Sequence, residues 1–275
     1  MRLGKFLFVC SSIILLLTIS CSPTKRNSLP ATLAKAHAHN DYQHPHPLFD
    51  ALSLGYVSVE ADIHLVNGTL YVAHDKENIT KERTLQALYL NPLRNIIKEN
   101  GGYVYGQDVP FILLIDIKTD ADSTYLALTA VLKKYSSMIT FYDNGKRKKG
   151  AVTIIVSGNR NLELMKNENL RYAAYDGRFN DLDSNISSTL VPLISANWRN
   201  YFNWKGKGEI PAEEKGKLQR LINEAHKQGK QVRFWATDVS STQQLNLWNT
   251  LLESDVDFIG TDKLEKLKDF LSKYD

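Results

Sequence analysis

Polar and apolar positions alternate in short bursts along most of the chain, and longer stretches of helical spacing separate them. Eight segments read as strands: "KAHAH", "VSVEADIHL", "FILLIDIK", "AVTIIVSG", "RYAAYD", "LVPLISAN", "QVRFWAT" and "VDFIGTD". Between several of them lie helical patterns, "TLQALYLNPLRNIIKEN", "TYLALTAVLKKYSSM", "EEKGKLQRLINEAHKQG" and "TQQLNLWNTLLES". Some strands are continuous apolar runs, as expected where helices cover both ends of a side chain's choices and leave no wet face. Eight strands with intervening helices predict an α/β fold, a single (β/α)8 TIM-type barrel over residues 32–275, with chemistry at the C-terminal ends of the strands. A doubly wound open sheet is the alternative, but no glycine-rich phosphate loop follows the first strand. "VNGTLYVAHD" predicts a tight hairpin after the second strand.

The first residues follow a different pattern. Arg2 and Lys5 precede the apolar run "FLFVCSSIILLLTIS", which ends in small residues just before Cys21. Residues 1–20 therefore read as a secretory signal, too short for a lasting membrane span. The junction "TISCS" resembles a bacterial lipobox with Thr18 in place of leucine, so Cys21 is the expected lipidation site and residues 21–31 a flexible tether. The expected location is exported, lipid-anchored in the bacterial cell envelope and periplasm-facing. Cys10 leaves with the signal and Cys21 carries lipid, so the folded body has no cysteine for disulfides, thiolate metal sites or nucleophilic catalysis. Removing Arg2 and Lys5 lowers the formal net charge from +4 to +2. That is too mild to point to nucleic acid, and no protein partner is evident.

The expected strand ends carry the least expected residues. Four of the seven histidines lie in "AHAHNDYQHPHP", with His37 and His39 two apart on one face of the first strand. Glu60, Asp62 and His64 share a face of the second strand, Asp116 and Lys118 share a face of the third, and Trp235 and Asp238 close the seventh. Carboxylates on neighbouring strands repel in a low-dielectric barrel mouth unless a hard cation such as Mg²⁺ or Ca²⁺, or a nearby lysine or arginine, relieves them. Glu60, Asp62 and Asp116 are the candidate metal ligands. The pair His37-x-His39 also opens amidohydrolase-type metal barrels, but those draw further histidines from later strands, and here only His226 follows, in a helical pattern. One histidine of the first strand and His74 are left as candidate proton carriers, since imidazoles titrate near working pH. His44 and His46, each before a proline, read as loop-shaping residues. In "NWRNYFNW" the aromatic residues either pack over the barrel or receive an apolar group, and "GKRKKG" reads as a solvated loop tip.

Taken in order, His37, Glu60-Ala61-Asp62, His74-Asp75, Asp116-Ile117-Lys118, "VRFWATD" and "VDFIGTDKL" resemble the glycerophosphodiester phosphodiesterases and their relatives among the phosphatidylinositol-specific phospholipase C-like barrels. The resemblance covers nearly all of the chain after the signal. It implies a phosphoric diester hydrolase, or a phospholipase C/D-like lyase, acting on glycerophosphodiester or phospholipid-type substrates. One divalent cation, Mg²⁺ or Ca²⁺, would be held by Glu60, Asp62 and Asp116. His37 would serve as base and His74 as acid, the reaction passing through a cyclic phosphate if the substrate's own hydroxyl attacks. Lys118, Asn40, Trp235 and His39 are the implied substrate contacts. Two departures matter: Ala38 stands where the family's H-R-G arginine is expected, and Asp116 replaces a glutamate, both closer to sphingomyelinase D-like members. Competing expectations are a metal-dependent hydrolase with His37 and His39 as ligands, and a non-catalytic barrel that binds phosphoesters.

Overall fold

The computed structural model describes residues 29–274. The expected signal peptide, the lipidation site Cys21 and most of the tether lie outside the described residues. From Leu33 the chain runs through β1 (Leu33–Ala38), α1 (Phe49–Ser53), β2 (Tyr56–Val66), β3 (Thr69–Val72), α2 (Asn91–Glu99) and β4 (Phe111–Ile117). It continues through α3 (Ala121–Leu132), β5 (Phe141–Asp143), β6 (Lys146–Lys148), β7 (Val152–Gly158), α4 (Leu162–Lys166), β8 (Leu170–Arg171) and β9 (Ala174–Gly177). The last third holds β10 (Leu193–Asn197), α5 (Trp198–Tyr201), α6 (Ala212–Lys227), β11 (Gln231–Trp235), α7 (Ser241–Glu253), β12 (Phe258–Thr261) and α8 (Leu264–Leu271).

Eight of these strands, β1, β2, β4, β7, β9, β10, β11 and β12, pair in parallel, and β1 pairs with both β2 and β12. The sheet therefore closes on itself as a (β/α)8 barrel. Its core strands are apolar on both faces, as in "FILLI" of β4, because one face fills the barrel and the other meets the helices.

Local signals account for the joints. Asn67 and Gly68, both at positive φ (49° and 77°), make the two-residue turn between β2 and the antiparallel β3. Asp120 caps α3 by accepting the Ser123 N–H at 3.0 Å. Two segments depart from the expected pattern. "RYAAYD" splits: Arg171 ends β8, which pairs with β5 outside the barrel, and only Ala174–Gly177 enters it. "GKRKKG" is the exposed arm of a β5–β6 hairpin. Of the two readings of the aromatic loop, packing is what the fold adopts. Trp198, Phe202 and Trp204 are buried, Trp198 stacks on Phe202 at 4.2 Å and meets Phe234 edge-on at 5.3 Å, and its indole N–H donates to the Trp204 carbonyl. His226 does sit on a helix, α6, where Nε2 contacts Asp257 Oδ2 at 2.8 Å and ties the helix to the turn before β12.

Candidate active site

Strand register brings the acidic residues together. Asp62 of β2 pairs level with Asp116 of β4, and Asp116 with Ser157 of β7, so their side chains share one layer of the barrel mouth. Glu60 stands two residues deeper on the same face. One carboxylate oxygen from each of Glu60, Asp62 and Asp116 lies within 4.8 Å of the others. Three like charges at this spacing need compensation in a buried setting.

Part of that compensation comes from the protein. Arg233 donates to Glu60 Oε2 at 2.8 Å, both side chains being buried. Burial would push the Glu60 carboxyl up, but Arg233 and His37 outweigh it and hold it well below the usual range. Lys118 lies 2.9 Å from Asp116 Oδ1 and 3.1 Å from Asp62 Oδ2. Even so, burial keeps Asp116 above the ordinary carboxylate value against the pull of Lys118. Asp62 is the hub. Its Oδ2 accepts from the Tyr42 hydroxyl at 2.6 Å and stands 2.9 Å from His74 Nδ1, while its Oδ1 is buried with no partner among the described residues. An unpartnered buried carboxylate oxygen facing two further carboxylates is what a hard, oxygen-seeking cation satisfies. The donor set fits a divalent cation.

A second mark of the cradle is Gly158, which follows Ser157 at φ 69°. A Cβ built there would come within 2.3 Å of Asp116 Oδ1 and 2.5 Å of the Ile117 carbonyl oxygen. Only glycine lets the β7 turn press against the Asp116 carboxylate.

A cavity of about 400 Å³ opens above these groups, a volume suited to a small ligand. It is lined by Glu60, Asp116, Lys118, His74, His39 and Asn40, together with Ser157, Arg178, Arg233, Trp235 and Asp238. Trp235 is 37% exposed and forms part of the wall. Ala236, beside it, is held at φ 57°, a conformation that costs an alanine roughly 1–2 kcal/mol and marks a constrained end to β11. A groove of comparable size beside α6, lined by Phe179, Lys217 and Glu224 among others, has no histidine and no convergent acidic cluster among the described residues.

The histidines separate by depth. His74 follows β3 with a half-exposed side chain; Nδ1 is held by Asp62, with the Tyr42 hydroxyl 3.1 Å away. His39 lies one residue past β1, with Nδ1 2.7 Å from Asp262 Oδ1 and 2.9 Å from the Asn40 amide nitrogen. Asn40 itself sits in the left-handed region, φ 51°, with its Oδ1 2.9 Å from the Tyr42 hydroxyl. His37 is different. It is 1% exposed and does not line the cavity. Its Nδ1 lies 2.7 Å from Ser58 Oγ, and its Nε2 lies 2.7 Å from Arg233 Nη1 and 3.2 Å from Glu60 Oε2. A guanidinium can only donate, so Nε2 offers its lone pair to Arg233 and the proton rests on Nδ1, toward Ser58. Burial and Arg233 lower the His37 pKa to about 4. A cation shared by His37 and His39 would compete with that guanidinium for the same lone pair. His64, on the Glu60 and Asp62 face, turns to the His74 carbonyl at 3.2 Å. His46 pairs with Asp50 in the exposed loop.

Sequence reasoning missed Arg233, Tyr42 and Ser58. The signal for Arg233 was present: in "QVRFW" strict alternation puts Arg233 on the same face as Trp235, inside an apolar strand. The alternation in "SVEADIHL" puts Ser58 on the face of Glu60 and Asp62 but does not reveal its partner His37. Nothing comparable marked Tyr42, whose partners Asp62 and His74 lie far away in sequence.

Three comparisons with known proteins bear on this geometry. Residues 26–176, more than half of the chain, match the model of the AIM6-like phosphodiesterase domain. The chain is 29% identical over 260 residues to an altered inheritance of mitochondria protein 6 homolog of Arthroderma benhamiae, covering 85% of this chain and 82% of that protein. It is 28% identical over 270 residues to altered inheritance of mitochondria protein 6 of Eremothecium gossypii, covering 86% and 69%. Among solved structures, a glycerophosphoryl diester phosphodiesterase from Parabacteroides distasonis superposes with a TM-score of 0.50 at 12% identity, over 88% of this chain and 87% of that one. That likeness supports the barrel fold. With its closed parallel barrel and the acidic cluster at the mouth, the chain belongs to the AIM6-like phosphodiesterase domain family.

Proposed function

We propose that the protein is a metal-dependent phosphodiesterase acting on glycerophosphodiester or phospholipid-type substrates by histidine acid–base catalysis. The observation that carries the reading is the convergence of Glu60, Asp62 and Asp116 within 4.8 Å beside a histidine tied to the same carboxylate. These three residues would hold one divalent cation, Mg²⁺ or Ca²⁺. When bound, such an ion supplies charge neutralisation to a phosphodiester's oxygens.

The chain's own residues account for the remaining needs. Asp62 fixes the His74 ring through Nδ1 and leaves Nε2 free to give a proton to the leaving oxygen. Lys118, shared between Asp62 and Asp116, brings a cation to the edge of the cavity where phosphate charge grows in the transition state. Trp235 offers an apolar wall to the part of the substrate away from the phosphate. A second proton carrier comes from the end of β1. Cys21, as the lipidated residue, would keep the barrel at a membrane surface in the cell envelope, near lipid-derived diesters.

The test incubates the purified protein with a panel of glycerophosphodiesters and lysophospholipids, with and without chelator, and resolves products by mass spectrometry. Turnover that chelator removes, and that Glu60→Gln and Asp62→Asn each lower at least a hundredfold, is expected. Mass spectrometry also separates the hydrolysed product from a released cyclic phosphate. No turnover across the panel, with phosphoester binding intact, would instead indicate a binding barrel.

A further inference from the structure

We propose that the second proton carrier of this site is the His39–Asp262 pair, and that His37 is a positioning residue that holds Arg233 against Glu60. The inference rests on the phosphodiesterase reading and assigns the group that takes the nucleophile's proton.

Strand geometry separates His37 of β1 from His39, one residue past its end. Two residues along one face advance about 6.6 Å toward the C-terminal mouth, so His39 stands a layer above His37. His39 lines the cavity; His37 does not. Asp262 can only accept, which places the His39 proton on Nδ1, 2.7 Å from Asp262 Oδ1. The Asn40 amide, 2.9 Å from that nitrogen, then donates to Asp262 Oδ1 at 3.3 Å, and His39 Nε2 has no hydrogen-bond partner among the described residues. That tautomer is the one a base requires, because the carboxylate fixes the ring and stabilises the imidazolium that forms. His74 is built the same way, Nδ1 on Asp62 and Nε2 unpartnered among the described residues. The cavity thus has two imidazoles, each oriented by its own aspartate.

His37 lacks each of these properties. Both ring nitrogens are engaged. For Nε2 to accept a proton from a nucleophile, Arg233 would have to withdraw, and the imidazolium would then face a guanidinium now 2.7 Å away at a buried site. Its geometry suits a different task. As a neutral acceptor it pins Nη1 of Arg233, while Ser195 Oγ receives Nε–H at 3.2 Å, so the guanidinium stays on Glu60 at the cavity floor. In the reaction, the attacking hydroxyl gives its proton to His39 Nε2 as its oxygen bonds to phosphorus. The phosphorus–oxygen bond to the leaving group breaks as that oxygen takes a proton from His74 Nε2.

The groups facing His39 are Asp262 after β12, Asp238 after β11, Arg233 of β11, Glu60 of β2 and His37 of β1. Burial lowers the affinity of His39 for a proton, but Asp262 and Glu60 outweigh it and raise the ring above the ordinary histidine value.

The experiment compares His39→Gln, Asp262→Asn and His37→Gln in cation-loaded protein. Glutamine at position 37 keeps an acceptor for Arg233 and a donor for Ser58 but cannot carry a proton. His39→Gln is expected to lower kcat by 10²- to 10⁴-fold with KM little changed, and to abolish the limb of the pH profile that belongs to the base. Asp262→Asn is expected to lower kcat at least tenfold. His37→Gln is expected to stay within tenfold of the wild type. A hundredfold loss in His37→Gln with unchanged melting temperature, or near wild-type activity in His39→Gln, overturns the inference. A second measurement covers a variant that does not fold or a protein that turns over no diester. Nitrogen NMR of histidine-labelled wild type follows the ring signals as sn-glycerol 3-phosphate is added with Mg²⁺. The His39 Nε2 signal is expected to move. An unmoved His39 overturns the inference whatever the activity, whereas absent turnover with a moving His39 overturns only the phosphodiesterase reading.

Discussion

At the scale of single residues, burial decides chemistry more than residue type does. His37 and His39 are two residues apart and identical in kind, yet one is a neutral acceptor locked under Arg233 and the other an exposed-edge imidazole on a carboxylate. Asp41 makes the same point without any catalytic role. It is fully buried, accepts from the Leu48 N–H at 2.6 Å and the Tyr89 hydroxyl at 2.8 Å, and its Oδ1 has no partner among the described residues. Burial raises its pKa from 3.8 to about 6, against the pull of those two donors. A raised folded-state pKa means that the native protein binds the proton more tightly than the unfolded chain. The stability this contributes is complete below about pH 4 and is lost as pH rises through about 6, amounting to ~3 kcal/mol. Asp41→Asn keeps one acceptor oxygen and removes the titration. Measured by urea unfolding, the wild type should lose about that much relative to Asp41→Asn between pH 4 and pH 8. A difference that does not change with pH would remove Asp41 as the cause.

At the scale of elements, β2 and β4 do most of the positioning. The alternation in "SVEADIHL" sends Ser58, Glu60 and Asp62 inward, and parallel register levels Asp62 with Asp116. That much of the site was legible from periodicity, because a strand's two faces are a local property. The fit between elements was not. Gly158 ends β7 at φ 69° with Asp116 Oδ1 in the space a Cβ would take, whereas Gly68, at φ 77° in the β2–β3 turn, has nothing within 4 Å of that position. Alanine at either position meets the backbone cost of roughly 1–2 kcal/mol. Only Gly158→Ala should also displace Asp116, and it is expected to weaken Mg²⁺ or Ca²⁺ binding by tenfold or more in calorimetric titration. Gly68→Ala, the control, should bind the ion as the wild type does. Equal affinities in the two variants would mean that the β7 turn does not set the Asp116 position.

At the scale of the whole molecule, barrel closure assembles partners that no local pattern connects. Pairing of β1 with β12 carries Asp262 to His39, 223 residues apart, and the β11 side chain Arg233 reaches Glu60 of β2 across 173 residues. Ala38 stands where the family's arginine is expected, and a buried arginine, Arg233, reaches the cavity from β11, near the other end of the chain. Placement of the molecule in its cell is a separate matter and rests on the "TISCS" junction. Expressed full length in a bacterium, the protein should partition into the detergent phase of Triton X-114, and Cys21→Ser should move it to the aqueous phase. A wild type found in the aqueous phase would dismiss the lipid anchor.

By itself the sequence determined the strand and helix order, the barrel class and the acidic residues that face its mouth, because periodicity and strand alternation are set by each segment's own side chains. Only the tertiary structure decided how deep each polar residue lies and which partner it meets: His37 beneath Arg233, His39 on Asp262, Asp62 at the centre of Tyr42, His74 and Lys118. Depth and partnership depend on how far strands are staggered when the barrel closes, and that stagger belongs to all eight strands at once rather than to any one of them.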